Sequence, residues 1–267
     1  MKLIEAVLHR ALARDERTAR GLILSGRVLV DDKSVTSEHA VVASEQLIRL
    51  RGDTGTDVSR GARKLRPAIE RTGITLAGKV CLDLGVSTGG FTQVLLEHNA
   101  TKVYAVDVSY GITAHEVRND TRVTLLERTN ARELTHAHIP EPVDCVVGDL
   151  SFIGWGAVIP AIVPLLSPAA RLLLLVKPQF EIPPDLRDEA LHNGVISDPR
   201  YWVEALFSLT STWVINGLQV LQVFPSNLPG VKGNREFFVL LQLSAMAKPQ
   251  EYEQMVECAV AEAASES

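Results

Sequence analysis

A glycine-rich turn between an apolar strand and a helix is the part of this sequence best suited to bind a small molecule. The turn spans Asp83–Thr92 and contains three glycines. Glycines allow backbone to approach a ligand, and the start of the following helix is electropositive. Seventeen residues after Gly90, a second strand ends in Asp107, an acid placed to hydrogen-bond ribose hydroxyls. This layout predicts a nucleotide-type cofactor site; the alternative is an ordinary strand-to-helix turn.

The spacing of the glycines narrows the class of cofactor. It is not the G-x-G-x-x-G pattern, so a pyrophosphate cradle is not favoured. A tight turn headed by an acid suits a cofactor with an amino acid tail, and we expect S-adenosylmethionine. The predicted cofactor-binding residues are Asp83, Gly85, Ser87, Thr88, Gly89, Gly90, Phe91, Asp107, Asn130 and Asp149.

Polar residues also follow the later strands. Asn130 lies past the third strand, Asp149 ends the fourth, Lys177 ends the fifth and Glu236 begins the last. Ligands of such sheets bind beyond the carboxyl ends of the strands. Each residue alone is more simply a helix cap or a solvated strand end, but their coincidence at one edge predicts an acid–base site.

Alternating strand and helix patterns position these residues. Strands are predicted at 79–84, 102–107, 122–126, 143–148, 171–177, 218–224 and 236–243, with helices between most of them. This alternation indicates an α/β domain with a mostly parallel seven-stranded sheet. A short loop, 225–234, joins the last two strands and suits an antiparallel pair. We therefore expect an antiparallel edge strand at the end of the domain.

The first 50 residues read as a small α+β module that resembles the S4 RNA-binding domain. Two short helices precede short strands, and Arg17, Arg20, Arg27 and Lys33 flank the second helix and the turn after it. Residues 1–71 carry 14 Lys/Arg against 10 Asp/Glu, which favours a polyanionic partner. The alternative is that these residues form a small basic accessory domain that does not bind nucleic acid. Residues 51–57 read as a linker, and residues 244–267 read as an acidic C-terminal tail.

Composition excludes several other classes of protein. The three cysteines are far apart and no histidine cluster exists, so neither a disulfide framework nor a metal site is expected. The apolar stretch 157–176 contains three prolines and an arginine, so we expect a buried helix and a strand there and no membrane contact. With no signal peptide, a cytoplasmic location is the simplest interpretation.

Six motifs, in order, resemble the TlyA (hemolysin A) family. They are Val58–Leu65, Ser87–Thr92, Glu127–Arg132, Asp149–Ile153, Val176–Glu181 and Gly233–Glu236. The resemblance implies a class I (Rossmann-like), FtsJ-like methyltransferase domain over 58–243 after an S4 domain. It implies 2′-O-methylation of ribose, typically of a cytidine, with ribosomal RNA or ribosomal subunits as partners and no predicted protein partner. Arg60 and Arg63 join the predicted RNA-binding residues.

The resemblance also implies a catalytic tetrad of Lys64, Asp149, Lys177 and Glu236. A ribose hydroxyl must lose its proton as it attacks a sulfonium methyl, and a lysine that is desolvated or near another cation can accept it. We expect Lys177 to be this base, Asp149 and Glu236 to orient the lysines and the hydroxyl, and Lys64 to hold ribose or phosphate. No metal is needed.

Two other functions remain open from the sequence. Val86 and the segment 109–113 depart from the family pattern, which motivates an RNA-binding protein with a degenerate, inactive methyltransferase fold. The family name also suggests a cytolysin, but no convincing amphipathic or membrane-spanning segment is present.

Overall fold

A computed structural model describes residues 1–10, 12–13, 15–43, 46–50, 57–230, 232–244 and 250–265. Residues 51–56 of the predicted linker therefore lie outside the described residues.

The N-terminal module is a three-stranded antiparallel sheet packed on two helices. Its elements are α1 (Leu3–His9), α2 (Glu16–Leu24), β1 (Val28–Val30), β2 (Lys33–Ser34) and β3 (Ile48–Leu50), with strand order β2-β1-β3. Asp15 caps α2, because its side chain accepts a hydrogen bond from Thr18 N. The turn between β1 and β2 is Asp31-Asp32, and both residues have left-handed backbone conformations, with φ of 47° and 68°.

The rest of the chain alternates strands and helices, as the sequence predicts. Its first half contains α3 (Arg60–Thr72), β4 (Val80–Leu84), α4 (Gly90–Glu97), β5 (Lys102–Val106), α5 (His115–Arg118), β6 (Val123–Leu126) and β7 (Val143–Gly148). Its second half contains α6 (Ile159–Ile162), β8 (Leu166–Val176), α7 (Pro178–Glu181), α8 (Arg187–Ala190), α9 (Pro199–Phe207), α10 (Thr210–Ile215), β9 (Leu218–Pro225), β10 (Phe237–Leu243) and α11 (Gln250–Ser265).

Seven of these strands form one sheet in the order β6-β5-β4-β7-β8-β10-β9. The strands from β4 to β8 are parallel, and β10 is antiparallel to both of its neighbours. The mostly parallel seven-stranded α/β fold is confirmed. One detail differs: the antiparallel strand lies one place inside the sheet, and β9 forms the edge.

The burial of the two strands explains this order. Residues 237–241 of β10 are all buried, which is the mark of a strand covered on both faces. Residues 219–223 of β9 are only partly buried, which suits an edge position. A final strand of continuous apolar residues therefore takes the inner place, although it is last in the chain.

Helices cover both faces of the large sheet. On one face α3 and α4 bury Leu65, Phe91 and Leu95 against the strands. On the other face α11 buries Val256 and Ala259 in the larger core cluster. Much of the predicted acidic tail is thus a helix whose apolar side packs on the protein, while Glu253 and Glu257 are exposed.

Candidate active site

Four charged side chains from distant parts of the chain meet at the carboxyl edge of the sheet. Lys64 Nζ lies 2.5 Å from Glu236 Oε2 and 4.0 Å from Asp149 Oδ2. Lys177 Nζ lies 2.6 Å from Asp149 Oδ1. The charges alternate in the order glutamate, lysine, aspartate, lysine. The predicted tetrad is therefore one connected cluster.

Each member comes from a different element. Lys64 lies on α3, and Asp149 directly follows β7. Lys177 directly follows β8, and Glu236 directly precedes β10. Because β10 is antiparallel to β8, its start lies beside the end of β8, where Phe237 pairs with Val176. The direction of β10 is what brings Glu236 to the lysines.

Burial and charge–charge interactions shift the pKa values of Lys64, Asp149 and Glu236. Burial acts to lower the pKa of Lys64, but Asp149 and Glu236 outweigh it and the pKa is raised. Burial acts to raise the pKa of Asp149, but the two lysines outweigh it and the pKa is lowered. For Glu236 burial prevails, together with repulsion from Asp149, and the pKa is raised. Lys64 is therefore held as a cation between two carboxyl groups.

Lys177 differs from Lys64 in having a hydroxyl partner near solvent. Its Nζ donates a hydrogen bond to Ser151 Oγ at 2.8 Å, and Ser151 is exposed. Lys64 is buried, with 7% of its surface exposed. Sequence reasoning missed Ser151, although it stands two residues after Asp149 within one of the six motifs. Lys177 is thus hydrogen-bonded to a hydroxyl group at the surface of the site.

Close backbone packing shapes the glycine-rich turn. A Cβ on Gly85 would lie 2.7 Å from the Asp149 carbonyl oxygen. A Cβ on Gly90 would lie 2.1 Å from Ser59 Oγ and 2.7 Å from Ala62 N. Gly90 therefore allows α3, and Lys64 with it, to dock beside the turn. Val86 is buried, so its bulk lies within the protein.

The predicted cofactor acids are placed at this edge in different surroundings. Asp83 is fully buried and accepts a hydrogen bond from Thr92 Oγ1 at 2.6 Å, whereas its Oδ1 has no partner among the described residues. Burial raises the pKa of Asp83 to about 7, and the nearby Asp149 and Asp107 add to the rise. Asp107 is half-buried, and Ser87 N donates to its Oδ2 at 2.6 Å.

The other predicted cofactor residues are divided between the site and the core. Asn130 Oδ1 accepts a hydrogen bond from Arg132 N and caps a short 3₁₀ helix. Thr88 Oγ1 lies 3.4 Å from Asp32 Oδ2 in the N-terminal module. Phe91 is buried and stacks with Phe238, so its ring belongs to the core.

The predicted RNA-binding residues are likewise divided. Arg17, Arg27 and Lys33 are exposed on the N-terminal module. Arg20 is exposed but pairs with Glu16 and Glu38. Arg63 is half-buried on α3.

Arg60, another predicted RNA-binding residue, makes contacts within the protein. It is buried, donates to the Pro229 carbonyl oxygen at 2.8 Å and lies 3.5 Å from Asp31 Oδ1. The Asp31-Asp32 turn thus touches both the start of α3 and the glycine-rich turn. Because its guanidinium is engaged in this way, Arg60 is poorly placed to bind RNA.

Comparison with known proteins identifies the family. The model of the FtsJ-like methyltransferase family matches residues 58–243. The chain belongs to this family. Within it, the chain is 41% identical over 237 residues to the 16S/23S rRNA (cytidine-2′-O)-methyltransferase TlyA of Mycobacterium tuberculosis, covering 88% of this chain and 87% of that protein. TlyA membership, expected from the motifs, is confirmed.

Other relatives of this chain carry a different name. A protein of Brachyspira hyodysenteriae called Hemolysin A is 33% identical and covers 89% of this chain and 98% of its own length. A solved hemolysin-named structure from Streptococcus thermophilus matches all of this chain and 98% of its own, with a TM-score of 0.75 and 26% identity. Among the described residues, no helix is long and apolar enough to cross a membrane, and no cluster of His, Cys, Asp and Glu side chains could hold a metal ion.

We predict that the buried lysine and glutamate of the site depend on each other for stability. Lys64→Met leaves Glu236 buried beside Asp149 without its cation and should lower the free energy of unfolding by about 3–5 kcal/mol. Lys64→Met with Glu236→Gln should recover a large part of this loss. Urea unfolding of the two single variants and the double variant measures the coupling; purely additive losses would contradict it.

We also predict a pH dependence from Asp83. The folded protein keeps this proton up to about pH 7, whereas the unfolded carboxyl loses it near pH 4. The contribution to stability is therefore complete below about pH 4 and is lost as the pH rises toward 7, by about 4 kcal/mol in all. In Asp83→Asn the fall in unfolding free energy between pH 4.5 and 7.5 should be shallower than in wild type. Asp188→Asn, at an exposed position, is the control and should follow wild type.

Proposed function

We propose that the protein transfers the methyl group of S-adenosylmethionine to a ribose 2′-hydroxyl of ribosomal RNA, at a cytidine. The observation that carries this proposal is the connected cluster of Lys64, Asp149, Lys177 and Glu236 at the sheet edge, beside the glycine-rich turn. Membership of the FtsJ-like family and the names of the TlyA relatives support it. A ribosomal substrate also supports the expected cytoplasmic location.

The aspartates at the carboxyl edge of the sheet suit a positively charged cofactor. Asp83, Asp107 and Asp149 lie close enough for the last two to raise the pKa of the first, and Asp83 Oδ1 has no partner in the described part of the chain. A ligand with a sulfonium and an ammonium group would relieve this repulsion. The cofactor supplies a methyl group already activated by the sulfonium charge.

The tetrad supplies the proton acceptor. The hydrogen bond of Lys177 Nζ to the exposed Ser151 Oγ supports Lys177 as this acceptor, because it already binds a hydroxyl group near solvent. In its neutral form, Nζ accepts the proton that the ribose oxygen loses as that oxygen takes the methyl group. Lys64 and Lys177 share the Asp149 carboxylate, which fixes the positions of both lysines in the cluster. Glu236 holds Lys64 in place, so that Lys64 remains the fixed charge that faces ribose or phosphate.

The N-terminal module supplies the proposed contact with RNA. Arg17, Arg27 and Lys33 are exposed on it and suit phosphate groups. Arg63 lies next to Lys64 on α3, where it suits the strand that carries the target nucleotide. The module and the catalytic domain touch through Asp31 and Arg60, so a bound RNA can reach both.

We predict that Lys177→Ala lowers the rate of methyl transfer to ribosomal subunits by about 10²–10⁴-fold, because the proton acceptor is removed. Calorimetry should show that binding of S-adenosylmethionine is retained. Lys79→Ala is the control, because Lys79 lies at the opposite end of β4 and pairs with Asp144.

Full activity of Lys177→Ala would contradict the mechanism. Absence of cofactor binding in wild type would favour the degenerate, inactive alternative. Mass-spectrometric mapping of ribose methylation in ribosomal RNA, from cells with and without the gene, identifies the nucleotide; an unchanged pattern would contradict the function.

We predict that Arg27→Ala with Lys33→Ala weakens binding to ribosomal RNA without changing its sequence preference, because phosphate contacts carry no sequence information. The slope of log affinity against log salt should fall by about 1 for each phosphate that is no longer neutralised. Fluorescence anisotropy over a series of KCl concentrations measures both. Arg200→Ala, at an exposed arginine on α9, should leave the slope unchanged; equal slopes in all three proteins would exclude the module as the RNA-binding surface.

A further inference from the structure

Ser109 makes two hydrogen bonds to the acid that is expected to hold the ribose of the cofactor. Its backbone N and its Oγ donate to Asp107 Oδ1 at 2.8 Å and 2.6 Å. Ser87 N donates to the other oxygen, Oδ2, at 2.6 Å. Three donors of the protein therefore already use this carboxylate.

This arrangement limits what Asp107 can accept. A carboxylate offers about four lone-pair positions, two on each oxygen. Ser109 fills both positions on Oδ1, and Ser87 fills one on Oδ2. Two neighbouring ribose hydroxyls that bind in bidentate fashion need one free position on each oxygen. In this arrangement only Oδ2 has one.

The backbone around Ser109 is held, so only its hydroxyl can move away. The Ser109 carbonyl oxygen accepts a hydrogen bond from Arg128 N at 3.1 Å, and the Asp107 carbonyl oxygen accepts one from Thr129 N at 3.0 Å. The loop after β5 is thereby pinned to the loop after β6. A second ribose hydroxyl can reach Oδ1 only if Ser109 Oγ rotates about its Cα–Cβ bond and gives up its bond.

We propose that Ser109 determines cofactor affinity and specificity, because its hydroxyl competes with a ribose hydroxyl for Asp107 Oδ1. The proposal rests on the use of S-adenosylmethionine proposed above. Its consequence is that the wild-type protein binds the cofactor less tightly than its fold allows and gains little from the second ribose hydroxyl. The residue acts on binding, not on the methyl transfer itself.

Calorimetric titration of the full chain with S-adenosylhomocysteine tests this. Ser109→Ala and Ser109→Gly both keep the backbone N–H and remove the hydroxyl, and each should bind about tenfold more tightly than wild type, as expected for one hydrogen bond to a charged group. Ser109→Thr keeps a hydroxyl and should bind like wild type. The 2′,3′-dideoxy analogue of S-adenosylhomocysteine should bind all four proteins equally.

The outcomes separate this proposal from the function on which it rests. If wild type binds S-adenosylhomocysteine but neither Ser109→Ala nor Ser109→Gly binds it more tightly, the role of Ser109 is wrong and the proposed function stands. If the gain is as large with the dideoxy analogue, the hydroxyl acts through something other than the ribose, and the role is again wrong. If wild type does not bind S-adenosylhomocysteine, the proposed cofactor is wrong and this inference falls with it.

Discussion

The attraction between the Asp149 carboxylate and two lysines is the interaction on which the site depends. Each lysine would be costly to bury or to hold in place alone, and one carboxylate shared between them balances both. Glu236 completes the alternation on the buried side. Because no two of these residues are near each other in the chain, the cluster exists only when α3, β8 and β10 are all docked.

Two contacts fix α3, which carries Lys64. One is the close approach of Ser59 and Ala62 to Gly90, which no residue with a side chain could permit without a shift. The other is the contact of Arg60 with Asp31 and with the Pro229 carbonyl oxygen. The glycine-rich turn, the N-terminal module and the loop before β10 therefore meet at the start of one helix, and the position of Lys64 depends on all three.

The local features of the fold, and the set of residues that forms the tetrad, could be predicted from the sequence. Strand ends, the glycine-rich turn and the residues of the tetrad followed from apolar runs, from the rule that ligands bind at carboxyl ends, and from the resemblance to TlyA proteins. Long-range pairing was not accessible in this way. The inner place of β10 depends on burial from both faces, and the burial of Arg60 depends on where a separate module docks. The bonds from Ser109 to Asp107 arise from loop geometry that no spacing rule encodes.

The proposed reaction requires a cationic cofactor and a polyanionic RNA to meet at one sheet edge. The acidic and basic side chains of the site lie at different places along this edge. Asp83 and Asp107 stand at the ends of β4 and β5, next to the turn, where a sulfonium ligand is favoured. Lys64, Lys177 and Arg63 stand on α3 and after β8, where ribose and phosphate are favoured. Asp149 lies at the end of β7, between β4 and β8 in the sheet. In the proposed reaction this single carboxylate therefore serves both halves of the site, because it holds the lysines on one side and adds negative charge toward the cofactor on the other.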